Sequence, residues 1–115
     1  MSKELSRWRL EKANKTFLEG DQLLNKKFYS GAINRYYYAA FHAARALLAT
    51  KKLDSAKHSG VISHFNREFV KTGIISKAAS KTLSAIFSLR SEADYEDFRT
   101  FSLQEAKEAR DSVRL

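Results

Sequence analysis

From residue 34 to residue 45 the chain reads Asn-Arg-Tyr-Tyr-Tyr-Ala-Ala-Phe-His-Ala-Ala-Arg, with no proline or glycine to interrupt a helix. At about 100° per residue, Asn34, Arg35, Tyr38, His42 and Arg45 fall within one sector roughly 100° wide. The rest of that cylinder is apolar, the pattern of a central, buried helix with one polar strip. Arg35 and His42 stand seven residues apart, within about 20° of each other and about 10.5 Å along the axis. Such a pair suits cleavage of a phosphodiester without a metal. His42 would take or give a proton near neutral pH, and Arg35 or Arg45 would stabilise the charge growing on phosphorus. The same pattern is equally that of a structural histidine in a helix interface. Tyr36, Tyr37 and Tyr38 cannot form one base-stacking platform, because successive residues point about 100° apart. Tyr36 is expected in the core and Tyr37 against another helix or subunit, which leaves Tyr38 alone on the strip.

Two further places carry chemistry. Lys57-His58-Ser59-Gly60 is expected at the start of a helix, where free backbone N–H groups, aided by Lys57 and Ser59, can hold a phosphate beside His58; the same residues also suit a His58 that packs near the N-cap while Gly60 lets a neighbour approach. Arg90 follows Phe87 and Leu89 and precedes Glu92 and Asp94. It reads either as a bridge to Asp94 four residues on or as a fork gripping a phosphate. Asp94, Tyr95, Glu96 and Asp97 would make that neighbourhood acidic. His64 is expected on a wet face with Arg67 and Lys71. Three histidines in no metal-ligand spacing, with no cysteine, give no metal site, and no cofactor is expected. There is no glycine-rich phosphate loop and no Gly-x-Ser-x-Gly elbow, which argues against a P-loop hydrolase or a serine hydrolase.

Helices must position these groups. The first is expected from about Lys3 to Lys26 with Leu10, Ala13, Phe17 and Leu24 inward, and the second from about Tyr29 to Lys52. Gly20, inside the first, costs about 1 kcal/mol relative to alanine unless a neighbour approaches there. Asp54 or Ser55 is the expected cap of a third helix reaching about Phe69, with Gly73 closing it. Ser76 caps a fourth, which buries Ala79, Leu83, Ile86, Leu89 and Ala93. Ser102 with Glu105 makes a capping box for the last. The fold class is therefore all-α: an up-and-down bundle of four long helices plus a shorter C-terminal one, a single domain over residues 1–115. Its alanine-rich and aromatic helices are suited to a symmetric homodimer.

The formal net charge of +8 and the pI near 9.8 favour an acidic partner such as nucleic acid, a nucleotide or an acidic protein surface. Solvated lysine-rich helix faces account for the same numbers. With no signal-like start and no run of about 18 apolar residues, a cytoplasmic protein with no membrane partner is expected.

Four blocks, Asn34 to Leu48, Lys57-His-Ser-Gly-Val-Ile62, Phe69-Val-Lys-Thr-Gly73 and Leu89-Arg-Ser-Glu-Ala-Asp-Tyr95, together resemble the HEPN domain family. The likeness is greatest to its small stand-alone branch, once classed as an uncharacterised protein family. It implies a helical bundle that commonly dimerises and is often paired with a minimal nucleotidyltransferase in a toxin–antitoxin system. Many relatives are metal-independent ribonucleases whose late motif is an arginine, four to six residues, then a histidine. Here Arg90 supplies the arginine, while Asp94 and Tyr95 stand about where the histidine would be. The expected function is thus a HEPN-like module partnering a nucleotidyltransferase, with nucleotide or RNA binding in a basic groove. A metal-independent endoribonuclease toxin using His42, Arg35 and Arg90 is the alternative, and a structural helical adaptor the third.

Overall fold

A helix with alanines on one side and large rings on another can let a partner helix come close, and α2 (Tyr29–Thr50) does this along most of its length. Its partner α1 (Ser2–Asn25) runs antiparallel beside it, so that Ser6 meets Ala46 at one end and Asp21 meets Tyr36 at the other. The computed structural model describes residues 2–55, 57–96 and 99–113; Asp97 and Phe98 lie outside these. After α2 come α3 (His58–Phe65), continued by a π turn over Asn66–Val70, then α4 (Lys77–Tyr95) and α5 (Leu103–Val113). The helices α1, α3, α4 and α5 all pack on α2. Among the described residues there is no strand, and no helix is long and apolar enough to cross a membrane.

The core centres on Ile33, Tyr36, Tyr37, Leu48 and Val61, all fully buried, with Phe65, Phe69, Leu83 and Ile86 around them. Gly20 is where α1 makes room: a Cβ there would lie 2.7 Å from Tyr36 Cε1. The Tyr36 hydroxyl donates to Asp21 Oδ1 at 2.7 Å, and its ring lies 5.1 Å from that of Phe17. Tyr36 and Tyr37 fill the chain's own core, while Ala40 and Ala43 are half-buried and Leu47 is exposed on α2.

The helix ends follow local chemistry. Phe28 and Lys27 donate to the carbonyls of Leu23 and Leu24 at 2.9 and 3.0 Å, and Leu53 and Lys52 repeat the pattern on Leu48 and Ala49. Lys27 and Lys52 take the left-handed conformation this requires, with φ of 66° and 57°. Ser76 accepts from the Ala79 N–H, and Ser102 and Glu105 exchange backbone bonds of 3.1 Å, the expected capping box. Gly73, at φ 81°, closes the π turn's exit.

Two expectations are corrected. The third helix is not capped by Asp54 or Ser55 but starts from Lys57 as its N-cap, because both side chains are used in the preceding loop: Asp54 binds arginines, and Ser55 Oγ accepts the Lys57 N–H. Leu10 is 52% exposed rather than inward, since α1 turns Arg9, Ala13 and Thr16 toward α2.

Candidate functional site

The strip on α2 keeps its predicted order, and α1 walls one side of it while α3 and α4 wall the other. On the α1 side a cleft is lined by Trp8, Glu11, Lys12, Lys15, Thr16 and Glu19, with Arg35 and His42 of α2 opposite. His42 is only 9% exposed, and its Nδ1 is buried with no hydrogen-bond partner among the described residues. Burial above all, then the positive charges of Lys12, Arg45, Arg35 and Arg9, push its pKa down to about 4. At neutral pH it is an uncharged ring.

At one end of the strip, Asp54 in the loop after α2 takes two arginines at once. Arg9 Nη2 donates to its Oδ2 at 2.9 Å and Arg45 Nη2 to the same oxygen at 2.8 Å, while Arg45 Nε reaches Oδ1 at 3.2 Å. Arg9 also donates to the Arg45 carbonyl. The bond from Arg45, with the Ser55 N–H adding to it, holds the Asp54 carboxyl at about 2 despite partial burial. Two guanidiniums on one carboxylate leave one positive charge uncompensated.

On the α4 side, Tyr38 is the hub. Its hydroxyl accepts from Arg90 Nη2 at 2.8 Å, and the guanidiniums of Arg35 and Arg90 lie 5.3 and 5.2 Å from its ring centre. Arg90 Nε lies 2.9 Å from Asp94 Oδ2, the bridge read from the sequence, though its N–H is not aligned on that oxygen. Asn34 donates to both Asp94 oxygens and accepts from Arg35 at 2.6 and 3.0 Å, so Arg35, Asn34, Asp94, Arg90 and Tyr38 form one connected polar chain.

His58 joins this group from the start of α3. Its ring stacks on Phe41, 4.2 Å between centroids, and its Nδ1 shares a 2.6 Å hydrogen bond with the Tyr37 hydroxyl. Burial raises the pKa of that phenol, so it keeps its proton, and the donor in this bond is set by the tautomer of the ring. Burial, then Arg90 and Arg45, lower the pKa of His58.

The fold thus brings Arg35, Tyr38, His42, Arg45, His58 and Arg90 onto one continuous face, with Tyr38 5.9 Å from His42 and 5.6 Å from His58 between ring centres. Lys57 does not join them. It is exposed and its N–H donates to Ser55 Oγ at 3.2 Å, while His58 packs inward on Tyr37 and Phe41. His64 is bonded to Arg67 on the outer face. Arg9 and Trp8 reach the site only through the α1–α2 pairing, and Asp54 only by the return of the loop after α2, neither of which residue spacing encodes. Among the described residues no group of three or more His, Cys, Asp or Glu is placed to hold a metal ion.

Comparison with known proteins agrees with this architecture. A family model described as the HEPN domain matches residues 6–115. A Methanocaldococcus jannaschii protein named "Putative toxin MJ0142" is 35% identical over 98 residues, 85% of this chain and 67% of that one. A Thermotoga maritima protein named "UPF0332 protein" is 39% identical over 101 residues, covering 88% and 76% of the two chains. A second M. jannaschii protein, "Putative toxin MJ0605", is 44% identical over 73 residues, 64% of this chain and 54% of its own length. With the family's model running from the first turns of α1 to the last residue, and with three of the four sequence blocks falling on α2, α3 and α4 around this face, the chain belongs to the HEPN domain family.

Proposed function

We propose that this chain is the toxin-like HEPN member of a two-protein pair whose other member is a minimal nucleotidyltransferase, and that it binds nucleotide or RNA phosphate on the α2 face. The observation that supports binding over cleavage is the combination of four guanidiniums, Arg9, Arg35, Arg45 and Arg90, with two histidines that burial and those same charges keep neutral. Cleavage of RNA without a metal needs one group that releases a proton and another that accepts it near pH 7. A ring with a pKa of about 4 is a poor acid there because it holds no extra proton to give.

Endonuclease activity is the second reading, and one observation favours it. Arg90 and His58 flank the same two tyrosines, so an arginine–histidine pair is assembled from two helices although the late block has no histidine. Incubation of a labelled mixed-sequence RNA with the purified chain in excess chelator separates the two, beside His42→Ala, His58→Ala and Arg90→Ala variants of intact helicity. Retention of RNA on the protein without shortening is the expected result. Shortening that disappears with His58→Ala or Arg90→Ala would replace binding with catalysis. Co-purification with a nucleotidyltransferase encoded beside it tests the pairing.

A further inference from the structure

We infer that Trp8 is the base-stacking residue of a single-stranded RNA site in the α1–α2 cleft, with Lys12 and Lys15 holding the phosphates beside the stacked base. This rests on the anion-binding reading of the α2 face and adds the ligand's form and direction to it. Trp8 is the only tryptophan in the chain and is 65% exposed. A ring of that size left in water, on a helix that has its core side against α2, offers a flat face to an unpaired base. Lys12 and Lys15 follow it by four and seven residues, on the same side of α1 and about 6 and 10 Å further along the axis. Both are exposed, and neither is held by a carboxylate of another described residue.

Across the cleft stands Arg35, 3.8 Å from Glu19. Three cations against Glu11 and Glu19 leave the cleft positive, and the Arg9–Asp54–Arg45 group adds a further positive charge toward its Trp8 end. His42 on the floor is uncharged at neutral pH and so adds a hydrogen-bonding ring but no repulsion or attraction. Cations spaced from Lys12 to Arg35 suit successive phosphates of a strand better than one mononucleotide. The alternative occupant of an exposed indole is a protein. One turn from the ring stand Leu5, 43% exposed, Glu4, Glu11 and Lys12, too little apolar surface for a protein-docking patch, and the cations that favour a polyanion, Lys12, Lys15 and Arg35, lie from there toward the far end of the cleft.

The lone indole is also the reporter. In chelator at low salt, a short unstructured RNA of mixed sequence should quench and shift Trp8 emission to saturation. Trp8→Ala should weaken binding of the labelled RNA about five- to a hundredfold, and Trp8→Phe should recover most of the loss. Replacing Lys12 and Lys15 by alanine should lower the slope of log affinity against log salt by about 0.7 per lysine. RNA bound by Trp8→Ala as tightly as by wild type, with wild-type emission unmoved, overturns the inference and leaves the anion-binding reading standing. No RNA bound by the wild type at low salt overturns both. Emission that saturates with AMP as readily as with the strand, or that changes with protein concentration alone, overturns it in favour of a mononucleotide pocket or a protein contact.

Discussion

Protonating His42 inside the folded chain would put a charge beside Lys12, Arg45, Arg35 and Arg9 in a place with little water, so the native state resists it down to about pH 4. The unfolded chain takes that proton at about pH 6.5. Between these values the unfolded state binds more protons, and stability falls as pH falls, by an amount on the order of 3 kcal/mol for this group. His58, lowered by burial, Arg90 and Arg45, acts in the same direction. Urea unfolding at a series of pH values should show the decline from pH 7 toward pH 4, and His42→Gln should flatten it. Asp54 has the opposite chemistry: it is the anion already in place between Arg9 and Arg45. Asp54→Asn should raise RNA affinity about threefold at low salt and less at high salt, measured by anisotropy. The loss in stability should be about 1 kcal/mol or less, because the carboxylate is 44% exposed.

Within the helices, Gly20 sets two effects against each other. Alanine there gains about 1 kcal/mol of helix propensity, yet its Cβ would meet the Tyr36 ring, which is fully buried and tied to Asp21. Overpacking at such a contact costs about 1–3 kcal/mol. Gly20→Ala should therefore lower the thermal midpoint, and combining it with Tyr36→Leu should recover part of the loss relative to Tyr36→Leu alone. The element plan was legible in the sequence because it is written in local signals: Ser76, Ser102 with Glu105, and Gly73 all act where they stand. The start of α3 was not, since Asp54 is drawn off by Arg9, a residue 45 positions away, and a cap competing with an ion pair leaves no local trace. Nor was the exposure of Leu10, because Ala13 and Leu24 face inward as expected while Arg9 and Thr16, rather than Leu10, complete the buried face of α1. The π turn is likewise a tertiary outcome: the Lys71 N–H reaches Asn66, whose side chain accepts from Ser80 on α4.

At the scale of the whole molecule, the α2 strip was readable because helical periodicity alone groups Arg35, Tyr38, His42 and Arg45. The histidine and arginine that complete it, His58 and Arg90, were readable as residues but not as neighbours, for their meeting depends on α3 and α4 closing over Tyr37 and Tyr38. Having every other helix lean on α2 also has a kinetic consequence. The α1–α2 hairpin needs only the closure of a three-residue link, Lys26 to Phe28, whereas α4 and α5 must return from far along the chain to reach the same helix. The hairpin is then the natural nucleus, with α5 docking after the rate-limiting step. In stopped-flow refolding, Ala39→Gly in α2 should slow folding, while Ala106→Gly in α5 should leave the folding rate nearly unchanged and hasten unfolding instead.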